Sequence, residues 1–301
     1  MYTEAWEAEW ERVLWQKKPY PDNYVPRSFL ASLSKNPNFR PYTYWHLVIL
    51  SCPISQHLAS IFVFLAVFMR LQQRLLDPRV LVWISVGVFM AGYLAWELLE
   101  CSRADSQTRY TNRAKTLKAS ILVFLALMSL SPVLKTLTAA TSSDSIWALS
   151  ACLFILNALL ADYTPMNPRS HQRERLTSVL SMNAAISSSV VLASRLSDDL
   201  SVFGLILFSV QSFALFPILR RRIQDTAKVL QVALTVLIST LSLALTYPLS
   251  NTAAYIYFAC FTFVTFIAPA VLVWAQRYKN EIRGTWDPAV PKVNRRFSFS
   301  R

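Results

Sequence analysis

Glycine is nearly missing from this chain of 301 residues, and Gly87, Gly92, Gly204 and Gly284 cannot build a phosphate-cradling loop. Histidine is scarcer still. His46, His57 and His171 form no metal-ligand spacing with each other or with the four cysteines. Those cysteines (Cys52, Cys101, Cys152 and Cys260) include no CxxC pair, which leaves neither a disulfide framework nor a zinc site. No Ser/His/Asp or Cys/His arrangement suggests a nucleophile. Charge is short as well: 16% of residues are Asp, Glu, Lys or Arg, against roughly 25% in ordinary soluble domains. A large soluble domain is excluded, and a stand-alone enzyme is not expected. No cofactor and no metal are called for.

Apolar runs are abundant. Eight approach the ~20 residues needed to cross a bilayer as a helix: 47–69, 79–99, 117–134, 146–161, 176–196, 200–219, 228–247 and 253–274. The expected fold is all-α, a polytopic transmembrane helical bundle of about eight spans with both termini cytoplasmic. Its organisation is a cytoplasmic N-terminal segment (1–46), an eight-span domain (47–274) and a basic C-terminal tail (275–301). Residues 1–43 are too polar to supply a signal peptide's apolar region, so the first span is expected to target the chain.

The net charge of +13 follows this topology. Counted by loop, 25 of the 30 Lys and Arg fall on the side of the N-terminus. The other five are Arg70, Arg74, Arg79, Lys135 and Arg195. That is the positive-inside bias for an even number of spans. The basic excess is therefore assigned to topology and anionic lipid headgroups, with no nucleic acid as partner.

Four features qualify as candidate sites. The first is PYPDNYVPRSFL, residues 19–30, which follows a helical stripe of Trp6, Trp10, Val13 and Leu14. Its prolines stop a helix, and Asp22-Asn23 forms turns through side-chain to backbone hydrogen bonds. A segment stiffened by proline loses little entropy on binding. We therefore read Pro21, Asp22, Asn23, Tyr24, Pro26 and Phe29 as a preorganised docking element. The second lies in span five, where Thr177, Ser181, Ala185, Ser189 and Ala193 recur every four residues. In lipid, such a small-residue stripe marks close helix packing or a contact between subunits, and Asn183 can add a hydrogen bond. The third is Arg220, Arg221 and Arg222, read with Lys135 as lipid headgroup contacts. Lys135 is also expected to pair with Asp144 across one loop, while Thr141, Ser142, Ser143 and Asp144 are N-cap candidates for span four. The fourth is His57 beside Gln56 within span one, read as an imidazole hydrogen-bonded to a neighbouring helix.

Span four is short. Ser145 to Ala161 covers about 25 Å, which suits the ~27 Å core of the endoplasmic reticulum membrane.

Four stretches carry a likeness: WERVLWQKKPYPDNYVPRSFL (10–30), SPVLKTLTAATSSDSIWALS (131–150), LSMNAAISSSVVLASRL (180–196) and FALFPILRRR (213–222). In order, and on to GTWDPA (284–289), they resemble the PIG-C family, the class C subunit of phosphatidylinositol-glycan anchor biosynthesis. Pro26 stands where the resemblance leads us to expect an acidic residue, which removes charge pairing there. The resemblance implies a non-catalytic membrane subunit of the complex that transfers N-acetylglucosamine from UDP-N-acetylglucosamine to phosphatidylinositol, in the endoplasmic reticulum. Its implied partners are a PIG-A-like catalytic glycosyltransferase subunit, PIG-H-, PIG-P- and PIG-Q-like subunits, and membrane lipid including phosphatidylinositol. The rival reading is a multispan lipid transporter or scramblase. That would need several charges facing one another across spans, and these spans are nearly charge-free.

Overall fold

The computed structural model describes residues 16–17, 40–100, 106–136, 142–163, 171–226 and 228–280, with side chains excepted at 99–100, 106–117, 171–177, 225–226, 277 and 279–280. Every regular element among them is helical. In chain order they are α1 (Tyr44–Gln72), α2 (Pro78–Glu100), α3 (Ser106–Thr136), α4 (Ser143–Leu160), α5 (His171–Ala193), α6 (Asp199–Val210), α7 (Phe216–Thr226), α8 (Lys228–Thr246), α9 (Asn251–Thr262) and α10 (Ala268–Asn280). Short π-helical segments join α6 to α7 (Gln211–Leu215) and α9 to α10 (Phe263–Ile267).

Seven of these helical stretches are long and apolar enough to cross a membrane; Asp199–Gln224 and Asn251–Gln276 each run through a π segment. The chain is thus a multi-pass membrane protein by helix composition. The expected fifth span is not among these seven: the part of α5 whose side chains are described, Ser178–Ala193, is a shorter apolar helix.

Proline explains both π segments. Pro217 and Pro269 each stand two residues after one, and each lacks the N–H that an α-helix would require. Just before each proline the backbone widens: Phe216 N–H reaches Gln211 O, and Ala268 N–H reaches Phe263 O, both one residue further back than in an α-helix.

The chain divides into two compact units, Trp45–Pro269 and a second made of 1–44 with 270–301. In the second, the Tyr42 backbone N–H donates to Gln276 Oε1 at 2.7 Å, and Gln276 Nε2 returns a bond to Tyr42 O at 3.3 Å. In the first, α1 is central, with 56% of its span window buried, and α3 is peripheral at 6%. Phe64 of α1 anchors the core, with ring centroids 5.7 Å from Phe154 of α4 and 5.4 Å from Phe213. Around them pack Phe68, Leu192, Val202 and Leu205. α3 is tied on by Phe124 edge-on to Phe203 and by Ser131 Oγ donating to Asp199 O at 2.6 Å. Ser142 caps α4, its Oγ accepting from Ser145 N–H at 3.4 Å.

Candidate functional site

The site begins with a proline inside a central helix. Pro53 of α1 has no N–H, so the Ile49 carbonyl loses its helical donor. Gln231 Nε2 of α8 fills that place at 3.2 Å. One turn further along α1, Gln56 Nε2 donates back to Gln231 O at 3.0 Å and to Thr235 Oγ1 at 2.8 Å. Ser55 Oγ meets Thr265 Oγ1 of the second π segment at 2.8 Å. The buried residues of α8 are Gln231, Thr235, Ser239, Ser242 and Thr246, all polar, while Val229, Val236 and Leu237 are exposed. Such a helix suits lipid, where apolar side chains face outward and polar ones join helices.

A second polar group gathers where α4 and α7 end. Arg220 is 2% exposed, and its Nη1 donates to the Pro53 carbonyl at 3.1 Å. Its guanidinium carbon lies 5.8 Å from the Tyr163 ring centre, within cation–π range. The Tyr163 hydroxyl donates to Ala158 O at 2.8 Å. Burial raises the Tyr163 phenol to about 12, and the Arg220 cation offsets part of that rise. His57 packs edge-on against the same ring and bonds through Nε2 to Asn157 Oδ1 at 2.7 Å. Asn157 Nδ2 donates to Ser181 O at 2.8 Å and to Ser181 Oγ at 2.9 Å, and Ser181 Oγ donates to Asn157 O at 2.8 Å. Arg221 Nη2 pairs with Asp162 Oδ2 at 3.3 Å and touches Ser178 Oγ at 3.4 Å. Arg222 lies over the Trp96 ring at 5.7 Å.

Several sequence expectations can be placed on this geometry. Ser181, Ala185, Ser189 and Ala193 are buried within the chain, and the side chain of Thr177 is outside the described set. Asn183 is exposed on the opposite side of α5; the interhelical amide there is Asn157. The expected Lys135–Asp144 pair is corrected. Lys135 Nζ lies 3.1 Å from Asp199 Oδ1, because α3 and α6 are neighbours at that end. The docking residues Pro21, Asp22, Asn23, Tyr24, Pro26 and Phe29 lie outside the described residues. His57 does bond a neighbouring helix.

Sequence reasoning missed Asn157, Gln231 and the structural use of Pro53. Their signal was a polar residue or proline within an apolar run, with Gln231, Thr235, Ser239, Ser242 and Thr246 spaced four, four, three and four. Among the described residues, no group of three or more His, Cys, Asp or Glu could hold a metal ion. Chemically, the arrangement holds helices in register: side-chain donors reach acceptors on other helices across the centre of the bundle.

Comparison with known proteins gives a consistent family. Residues 10–287 match the family described as GPI2: Phosphatidylinositol N-acetylglucosaminyltransferase. The chain is 39% identical over 285 residues to the phosphatidylinositol N-acetylglucosaminyltransferase GPI2 subunit of Schizosaccharomyces pombe, covering 94% of this chain and 87% of the relative. It is 32% identical over 290 residues to a Homo sapiens relative, the C subunit of phosphatidylinositol N-acetylglucosaminyltransferase, covering 95% and 94%. No solved structure matches it significantly.

Proposed function

The chain belongs to the GPI2 family, and from that membership we propose that it is the membrane-embedded, non-catalytic subunit on which its transferase assembles. It is a subunit of phosphatidylinositol N-acetylglucosaminyltransferase, acting at the first step of glycosylphosphatidylinositol biosynthesis, rather than the catalytic enzyme. The observation that carries the reading is the family match over residues 10–287, which takes in the helical bundle with its interhelical polar bonds. Those bonds favour a scaffold over a conduit, since a polar path through the membrane needs its groups facing a passage instead of one another.

In this reading the chain resides in the endoplasmic reticulum with eight spans and both ends in the cytoplasm. A separate catalytic subunit performs the transfer from UDP-N-acetylglucosamine to phosphatidylinositol. PYPDNYVPRSFL (19–30) docks that subunit or its companions, and the exposed edges of α2 and α3 receive membrane partners. The test compares sugar transfer by the purified chain with transfer by the reconstituted complex. No turnover is expected from the chain alone and full turnover from the complex. Replacing Pro21, Tyr24 and Pro26 with serine is expected to lower recovery of the catalytic subunit in a pull-down without loss of membrane insertion. Turnover by the isolated chain would overturn the non-catalytic reading, and wild-type partner recovery would remove the docking role.

A further inference from the structure

The end of α7 holds more hydrogen-bond donors than the described residues around it satisfy. Among the described residues, Arg220 Nε, Arg221 Nε and Gln224 Nε2 are all buried without a hydrogen-bond partner. They share one helical turn: Gln224 comes three residues after Arg221 and four after Arg220, so it neighbours both. Charge is unbalanced in the same place. Asp162 pairs with Arg221, but Arg220 forms no ion pair among the described residues; its contacts are the Pro53 carbonyl and the Tyr163 ring. One carboxylate, Asp162, therefore faces two guanidinium groups, and the excess buried positive charge is costly, as is each unmatched donor. Both costs fall if an anion with several acceptor oxygens binds there.

The location narrows the anion. The apolar run of the Asp199–Gln224 stretch gives way at Arg220 to RRRIQDT, the polar last turns of α7, so Arg220 and Arg221 lie at the polar end of the span. Arg222 over Trp96 marks the same interfacial level. A guanidinium fork matches phosphate oxygens, and a phosphate at this depth is that of a lipid headgroup. We propose that Arg220, Arg221 and Gln224 seat the phosphate of an anionic glycerophospholipid, with Tyr163 as the floor under Arg220. Asp162 occupies the Arg221 side when the lipid is absent. Arg221 and Asp162 are the partly open edge, their side chains 26% and 12% exposed, so the phosphate enters by displacing that carboxylate. The choice of phosphatidylinositol as first probe rests on the proposed function. Binding is read on the chain without turnover, so failure here leaves the subunit assignment standing.

The experiment measures lipid retention on the full chain in mixed micelles by native mass spectrometry. The probes are phosphatidylinositol, phosphatidylcholine and inorganic phosphate. Phosphatidylinositol is expected to be retained over phosphatidylcholine. Arg221→Gln is expected to lose about tenfold of that retention, the scale of one charge-assisted hydrogen bond. Asp162→Asn removes the competing carboxylate and is expected to raise retention, an opposite sign that general destabilisation does not produce. Equal retention of both lipids, or no change in either variant, overturns the proposal. Displacement of the lipid by inorganic phosphate at equal concentration would assign the site to a free phosphate and overturn the lipid reading.

Discussion

Asn157 shows how much one side chain can organise. Its Oδ1 accepts from His57 on α1, while its Nδ2 reaches both the carbonyl and the hydroxyl of Ser181 on α5. Three helices are thereby fixed in rotation and height by a residue that is 1% exposed. The sequence marks His57, since an imidazole in an apolar run is conspicuous, but it does not say which way a lone asparagine faces. Asn183 looked equally qualified and points outward, because direction depends on where α5 meets α4. A double-mutant cycle tests the coupling. His57→Leu and Asn157→Leu should each lower the thermal midpoint in detergent, and together they should cost less than their sum. Interhelical hydrogen bonds in membranes average about 0.6 kcal/mol and reach about 1.7 kcal/mol. A coupling energy in that range is expected, and strict additivity would show that the bond does not hold α1 to α4.

At the scale of the element, the helices and their approximate limits could be read from apolar runs, because a spanning helix has to be long and greasy. Packing faces were legible only where composition singles them out. The small residues of α5 did so: Ala185 and Ser189 are fully buried, and Ser188 Oγ donates to Ser150 O of α4 at 3.0 Å. The polar face of α8 was overlooked because its residues are diluted among leucines and valines, and because burial in a membrane protein inverts the usual rule. The π segments had a sequence cause in Pro217 and Pro269, but the backbone can answer a proline by kinking, by widening or by borrowing a donor. α1 takes the last course at Pro53, through Gln231. The α5 face yields a clean contrast. Ala185→Leu should overpack the α4 contact at a cost of about 1–3 kcal/mol, visible as reduced protein level and thermal midpoint. Ser187→Leu, on the exposed side of the same helix, should be tolerated. Equal tolerance of both would place the small-residue face against lipid.

For the whole molecule, the open quantity is whether the number of crossings is even, and α5 decides it. Asn157 pairs with Ser181 and Ser150 with Ser188, so each step forward along α4 is matched by one step back along α5. Continued at that register, Ser178–Ala193 lies alongside 145–160, which is nearly all of α4 (Ser143–Leu160). A helix running antiparallel to a span over that length is expected to cross with it, which would make eight crossings. The charge distribution favours the same count. With α5 crossing, Arg220, Arg221 and Arg222 share a side with the six Lys and Arg of the N-terminal segment; without it, they fall opposite. Glycosylation mapping separates the two. Acceptor tags on spacers at 137–142 and 248–250 should be modified, and tags at 164–170 and at both termini should not. A modified C-terminal tag together with an unmodified N-terminal one would mean an odd number of crossings, and would move the Arg220 site to the lumenal leaflet.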